Sequence, residues 1–300
     1  MPPCRSLKYW RDNSSANREF AVTTRDISPL TRLVARIDRT RGSEDPDLIR
    51  SGFPSIDRVI GGGFRRGDLI VLGGDDGAGT SALALGIALR CAKRALLCTG
   101  EMPVERVYER ALAIAARVSL DALRHGVVED TERTRLSAAT VTLRDYAPVV
   151  ERLTQRGLAD VAGALDSLPD ASLVIVDGLE ALLEHGQQRE ESLAWIVLTL
   201  KRLALERHVA LVVVSHLPTL DRQRANRRPR LTDFGVFGAI GTHADVVLGL
   251  YREDLYDSDL GVAGATELIV LKQREGPLGY ADLYYFAKWL RFEDVLDPDR

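Results

Sequence analysis

At 300 residues the chain has room for one large domain or two small ones, and 40 basic against 43 acidic residues leave a net charge of −3. That balance excludes a polycation built to coat nucleic acid, and 45% hydrophobic with 28% charged residues excludes global disorder and collagen-like repeats. Three cysteines (Cys4, Cys91, Cys98) are too few for a disulfide framework or a zinc cluster, and no apolar run approaches the roughly 20 residues of a membrane helix. The N-terminus carries Asp12, Glu19 and Asp26 and reads neither as a signal peptide nor as a transit peptide, so a cytoplasmic protein with no membrane partner is expected.

Residues 1–28 are polar and predict a flexible tail. Residues 29–42 predict a linker helix: from Pro29 to Arg39 the apolar residues Leu30, Leu33, Val34 and Ile37 recur at helical spacing, Ser28 can cap the start and Gly42 lies just beyond the end. Its apolar stripe must be covered by its own domain or by a neighbouring subunit, and the sequence leaves both open. Residues 43–300 then alternate strand-like runs with helical stretches. The strands are expected at Leu69–Leu72, Ala95–Cys98, Leu173–Val176, Ala210–Val214, Val246–Leu250 and Glu267–Leu271. The helices are expected near Ser81–Lys93, Val104–Val118, Pro148–Leu165 and Glu190–Arg207. Fully apolar strands separated by helices predict an α/β domain whose mostly parallel sheet is covered on both faces. Only a loop separates the last two strands, so that edge should turn antiparallel.

After the first core strand comes Gly73-Gly74-Asp75-Asp76-Gly77-Ala78-Gly79-Thr80-Ser81, leading into an Ala/Leu-rich helix. This strand–glycine loop–helix layout is that of a P-loop, in which backbone N–H groups and a helix N-terminus cradle phosphates. Gly74 and Gly79 have the spacing of G-x-x-x-x-G-K-[ST], Gly77 adds a flexible position between them, and Ser81 stands where a hydroxyl binds Mg²⁺. The Lys position holds Thr80. The chain's preference for Arg, with only five Lys among its 40 basic residues, would explain an Arg there but not a Thr. A charged hydrogen bond of the missing kind is worth about 1.5–3 kcal/mol. Either loop carboxylate, Asp75 or Asp76, facing a phosphate at ~7 Å would cost about 2 kcal/mol more. On its own, the loop reads equally as a plain glycine turn.

Further polar residues follow at carboxyl ends of strands, where an open parallel sheet binds ligands. Glu101 comes just after Leu96–Cys98 and can orient a water or merely cap a helix. Asp177 closes Leu173-Val174-Ile175-Val176 and can offer a carboxylate to Mg²⁺, and His216 follows Leu211–Ser215 where a γ-phosphate can be sensed. Here the chain resembles the C-terminal RecA-like domain of DnaB-type replicative helicases, over about residues 29–293. Ser51-Gly52-Phe53-Pro54-Ser55-Ile56-Asp57 through Gly67-Asp68-Leu69 resembles that family's lead-in to the P-loop. Glu101-Met102-Pro103 resembles its catalytic Glu string, Val174–Asp177 its second nucleotide motif, and Ser215-His216-Leu217 its sensor. Lys272-Gln273-Arg274-Glu275-Gly276-Pro277 resembles the string whose Lys and Arg reach the nucleotide of the adjacent subunit.

The resemblance implies a RecA-like P-loop NTPase domain preceded by a linker helix that docks on a neighbour in a hexameric ring. ATP and Mg²⁺ would be bound by Gly74, Gly77, Gly79, Thr80, Ser81 and Asp177, with Ser81 and Asp177 on the metal. Glu101, His216, Lys272 and Arg274 would be catalytic. Single-stranded DNA is the implied partner, and Arg222, Arg224, Arg227, Arg228 and Arg230 could track its backbone, although such runs are more often solvated loops. Two features depart from the family pattern. Thr80 replaces the P-loop Lys, and Gly235-Val236 stands where the family's DNA loop has an Arg-Glu pair. The expected function is therefore a ring-forming, DnaB-like nucleotide-binding protein of DNA replication or repair with weakened ATP binding and impaired hydrolysis. The alternatives are a non-catalytic partner of a true helicase or loader, a RecA-like switch protein outside replication, and an active translocase with a substitute cation.

Overall fold

The computed structural model describes residues 28–39, 45–154, 157–183, 189–257 and 261–295. The expected tail, apart from Ser28, lies outside the described residues, as do Cys4 and the end of the expected linker. The chain divides into two compact units, Met1–Asp45 and Pro46–Arg300. In the first, α1 spans Pro29–Arg39, and the Ser28 hydroxyl accepts the Thr31 amide at 3.2 Å, which satisfies an otherwise orphaned N-terminal donor. Leu30, Leu33, Val34 and Ile37 are all exposed on it.

The second unit opens with β1 (Leu48–Ile49), α2 (Pro54–Val59) and β2 (Phe64–Arg65), the two short strands pairing antiparallel. Then follow β3 (Leu69–Gly74), α3 (Thr80–Arg90), β4 (Ala95–Thr99), α4 (Val104–Ala116), α5 (Leu120–His125), α6 (Asp130–Tyr146), β5 (Val149–Arg152) and α7 (Leu158–Ser167). The remainder comprises β6 (Leu173–Asp177), α8 (Arg189–Arg207), β7 (Ala210–Ser215), α9 (Ala239–His243), β8 (Val246–Arg252), β9 (Ala265–Gln273), β10 (Gly279–Phe286) and β11 (Arg291–Asp294). A nine-stranded sheet runs β11-β10-β9-β8-β3-β7-β6-β4-β5. From β8 to β5 neighbouring strands are parallel, and β9, β10 and β11 are antiparallel additions at one edge.

Every residue of β3, β4, β6, β7 and β8 is buried, as strands covered on both faces must be. Successive side chains enter opposite layers. Ile70 and Leu72 of β3 join α2, α3 and α4, whereas Leu69 and Val71 join α7, α8 and α9. The antiparallel strand β10 instead alternates buried and exposed positions, because one of its faces is wet.

The helix expected over Pro148–Leu165 is corrected. Val149 and Val150 pair with Leu96 and Leu97 of β4 as strand β5, and the helix starts only at Leu158. β-Branched residues beside an open sheet edge gain more from pairing than from a helix turn. Gly157, at a φ of 55°, marks the break before α7, and the Asp160 carboxylate accepts the Thr154 amide at 2.6 Å.

Candidate nucleotide site

The site is built where β3, β4, β6 and β7 end. β3 delivers Gly73 and Gly74, and a Cβ on Gly73 would lie 2.3 Å from the Phe234 ring, so only glycine fits there. The loop turns through Gly77 (φ 80°) and enters α3 at Gly79 (φ 96°), a left-handed conformation that glycine adopts without strain. Among the described residues, the amides of Gly79, Thr80 and Ser81 have no acceptor in the chain. They are the first-turn donors of α3, which is the feature that makes a helix N-terminus bind anions. Thr80 contributes a methyl instead of a cation: a Cβ on Gly74 would lie 2.8 Å from its Cγ2.

Beside the loop, the Ser81 hydroxyl donates to Asp177 Oδ1 at 2.8 Å across 96 positions of sequence. Burial raises Asp177 to about 6, with the nearby Glu101 charge adding to the rise and the Ser81 hydrogen bond, Arg110 and His216 opposing it. A buried carboxylate held by a hydroxyl, short of positive charge, suits a divalent cation shared with phosphates. His216 bridges the outer wall of the site. Its Nδ1 lies 3.5 Å from Asp76 Oδ1 and its Nε2 3.6 Å from Glu101 Oε1. The structure thus brings Gly74, Gly77, Gly79, Thr80, Ser81, Glu101, Asp177 and His216 together.

The arginine stretch is more committed than a loop free to track DNA. Arg222 grips Asp75 through Nε at 3.1 and 3.2 Å and through Nη2 at 2.6 Å, and the same Nη2 donates to Asp76 Oδ2 at 2.9 Å. Arg224 pairs with the buried Asp233 at 2.8 and 2.6 Å, Arg228 pairs with Glu267, and Arg227 lies 5.0 Å over the Tyr256 ring. Burial alone would raise the Asp75 carboxyl, but hydrogen bonds from Arg222, the Asp76 amide and Tyr256 outweigh it and hold it low. Arg230 is exposed, and its backbone bonds Asp233: its amide donates to Asp233 Oδ2 at 2.8 Å and its carbonyl accepts the Asp233 amide at 2.9 Å.

Lys272 and Arg274 lie elsewhere. Lys272 is level with Val247 of β8, which is level with Val71 of β3, three residues before Gly74. That places the basic pair about 10 Å back along the strands and about 10 Å to the side of the phosphate loop. Lys272 Nζ donates to the carbonyls of Gly241 at 2.8 Å and Ala244 at 2.6 Å, at the end of α9. Burial lowers its pKa, and the Arg274 charge lowers it further. Arg274 Nε donates to Asp245 Oδ1 at 2.8 Å.

Three further residues lie at the site, and two of them carry no signal in the sequence. Arg110 of α4 acts on Asp177 by charge. Tyr256 donates to Asp75 Oδ2 at 2.9 Å, and Arg252 Nη1 donates to the Gly77 carbonyl at 3.2 Å while pairing with Asp254. Only the apolar period of α4, which places Arg110 on the same face as Val107, hints at the first.

Comparison with known proteins follows the same lines. The DnaB-like helicase C terminal domain family matches residues 49–294. The chain is similar to the replicative DNA helicase DnaB of Geobacillus stearothermophilus, at 28% identity over 257 residues covering 82% of this chain and 56% of that protein. It is also similar to the replicative DNA helicase DnaB of Leifsonia xyli, at 28% identity over 94% of this chain and 66% of that protein. The chain therefore spans little more than half to two thirds of these relatives. Two solved structures share the fold at 22% identity. One is an ATPase domain (TM-score 0.81, 90% of this chain and 100% of that one), and the other a DnaB-like replicative helicase described with its primase interactions (TM-score 0.79, 88% and 66%). With a RecA-like sheet, a glycine loop between β3 and α3 and a family match over residues 49–294, the chain belongs to the DnaB-like helicase C terminal domain family.

Proposed function

We propose that this chain is the nucleotide-binding module of a ring-forming, DnaB-like protein of DNA replication or repair that binds Mg²⁺-ATP and hydrolyses it slowly. The observation that carries this reading is the Ser81–Asp177 hydrogen bond at 2.8 Å, set beside Glu101 and His216 at the mouth of the phosphate loop. Ser81 and Asp177 would hold the metal, whose charge would offset that of the phosphates. The amides of Gly79, Thr80 and Ser81 would bind phosphate oxygens, Glu101 would take the proton of an attacking water, and His216 would report the terminal phosphate to the arginine-rich segment. Lys272 and Arg274 lie away from their own loop, and in this reading they would serve a neighbouring subunit of a ring. Hydrolysis is slow in this reading because Thr80 supplies no charge where it builds up in the transition state.

The test compares ATP hydrolysis by the native protein and by Thr80→Lys, with and without single-stranded DNA. The expected result is a rate at least tenfold higher in Thr80→Lys. Brisk, DNA-stimulated turnover by the native protein that the substitution does not raise would overturn the impaired-site reading. A second reading, a non-catalytic partner of an active helicase, is favoured by the tie of Arg222 across Asp75 and Asp76. It would gain if both proteins joined a helicase ring and neither hydrolysed ATP.

A further inference from the structure

We propose that Arg222 is the phosphate-binding cation of this protein, supplied from the segment after β7 in place of the P-loop lysine, and that Asp75 and Asp76 hold it at the loop until a nucleoside polyphosphate displaces them. This assignment rests on the nucleotide reading above and adds to it the residue that makes such binding feasible.

Four observations carry it. Between Gly74 and Ser81 the loop carries two carboxylates and no cation. Without compensation it would repel a polyphosphate, and Arg222 is the group that compensates it, through four contacts of 2.6–3.2 Å. The guanidinium also stands at the reacting end of the site: its partner Asp76 is the carboxylate 3.5 Å from His216 Nδ1, and His216 in turn faces Glu101 at 3.6 Å. The segment that carries it is anchored, with Phe234 wholly buried against Gly73, Arg224 on Asp233 and Arg228 on Glu267. Arg222 is thus presented on a fixed scaffold while its own side chain stays 60% exposed and free to change partner. Finally, a guanidinium fork binds carboxylate and phosphate with the same bidentate geometry, so exchange of Asp75 for a phosphate needs only a small movement. The other arginine that touches the loop, Arg252, is 9% exposed in its side chain and is occupied by Asp254 and the Gly77 carbonyl.

The two halves of the ion pair should act in opposite directions on nucleotide affinity, which a purely structural salt bridge would not do. The measurement is binding of a fluorescent ATP analogue to the full chain, with and without Mg²⁺ and across a salt series, with thermal melts to check folding. Arg222→Ala is expected to weaken binding at least tenfold and to flatten its salt dependence, and Arg222→Lys to restore part of the loss. Asp75→Asn with Asp76→Asn is expected to tighten binding several-fold. Protection of residues 217–230 from hydrogen exchange should also change when nucleotide binds to the native protein. Unchanged or tighter binding by Arg222→Ala, with its fold intact, would overturn the assignment and leave Arg222 as a latch. Binding by Thr80→Lys but not by the native protein would likewise overturn this assignment alone. Absence of binding by both would overturn the nucleotide reading, and this one with it.

Discussion

Asp177 is the residue of the candidate site at which charge and burial meet. It is 6% exposed and is raised to about 6 chiefly by burial. An unfolded Asp titrates near 3.8, so between about pH 4 and pH 6 the folded chain binds the extra proton. Stability therefore falls as pH rises through that window, and the penalty is full above pH 6, at about 3 kcal/mol for a shift of this size. Asp177→Asn keeps an acceptor for the Ser81 hydroxyl and removes the buried charge. We expect it to raise the melting temperature of the nucleotide-free protein at pH 7.5, by an amount corresponding to about 2–3 kcal/mol, and to have no such effect at pH 4. The same variant should lose the Mg²⁺-dependent part of nucleotide binding. Equal melting at both pH values would mean that the carboxylate is not desolvated as described. Ser81 and Asp177 were legible in the sequence because each sits at a position fixed by strand and loop. The Arg222–Asp75 pair was not legible, since its members lie 147 positions apart and no local spacing connects them.

The elements differ in how strongly the sequence specifies them. Central strands such as β3 and β6 read clearly because both faces are buried and the run is continuously apolar. The helix α6 buries only Ala139 and so presents no stripe to read, and four-residue β5 was lost inside an expected helix because tertiary pairing overrode local pattern. Lys272 shows the same limit at the end of β9, where the family resemblance gives it a role across a subunit boundary. The structure also gives it a role within the chain, closing the carbonyl end of α9. A cation at a helix C-terminus satisfies orphaned carbonyls and the helix dipole together. Lys272→Met should therefore cost about 2 kcal/mol in urea unfolding of the chain under conditions where it is monomeric. Unaltered stability would show that the cap contributes nothing.

At the scale of the whole molecule, two observations point to assembly. The basic pair Lys272 and Arg274 lies away from its own phosphate loop, and α1 exposes Leu30 at 67% and Leu33 at 41% together with Val34 and Ile37. A stripe of this kind in water is worth covering, since burying one leucine contributes about 1.5–3 kcal/mol. Loss of the stripe should therefore be read in association. Leu30→Asp with Leu33→Asp, measured by light scattering with and without nucleotide, is expected to convert a multi-subunit native species into a monomer. At a concentration low enough for the native protein to be monomeric as well, its thermal unfolding should match that of the native protein within about 0.5 kcal/mol, as surface substitutions do. Assembly of the double variant at native concentrations would show that association does not depend on the α1 stripe. A native protein that remains monomeric at every concentration, with nucleotide present, would remove the reason for Lys272 and Arg274 to act on a neighbour.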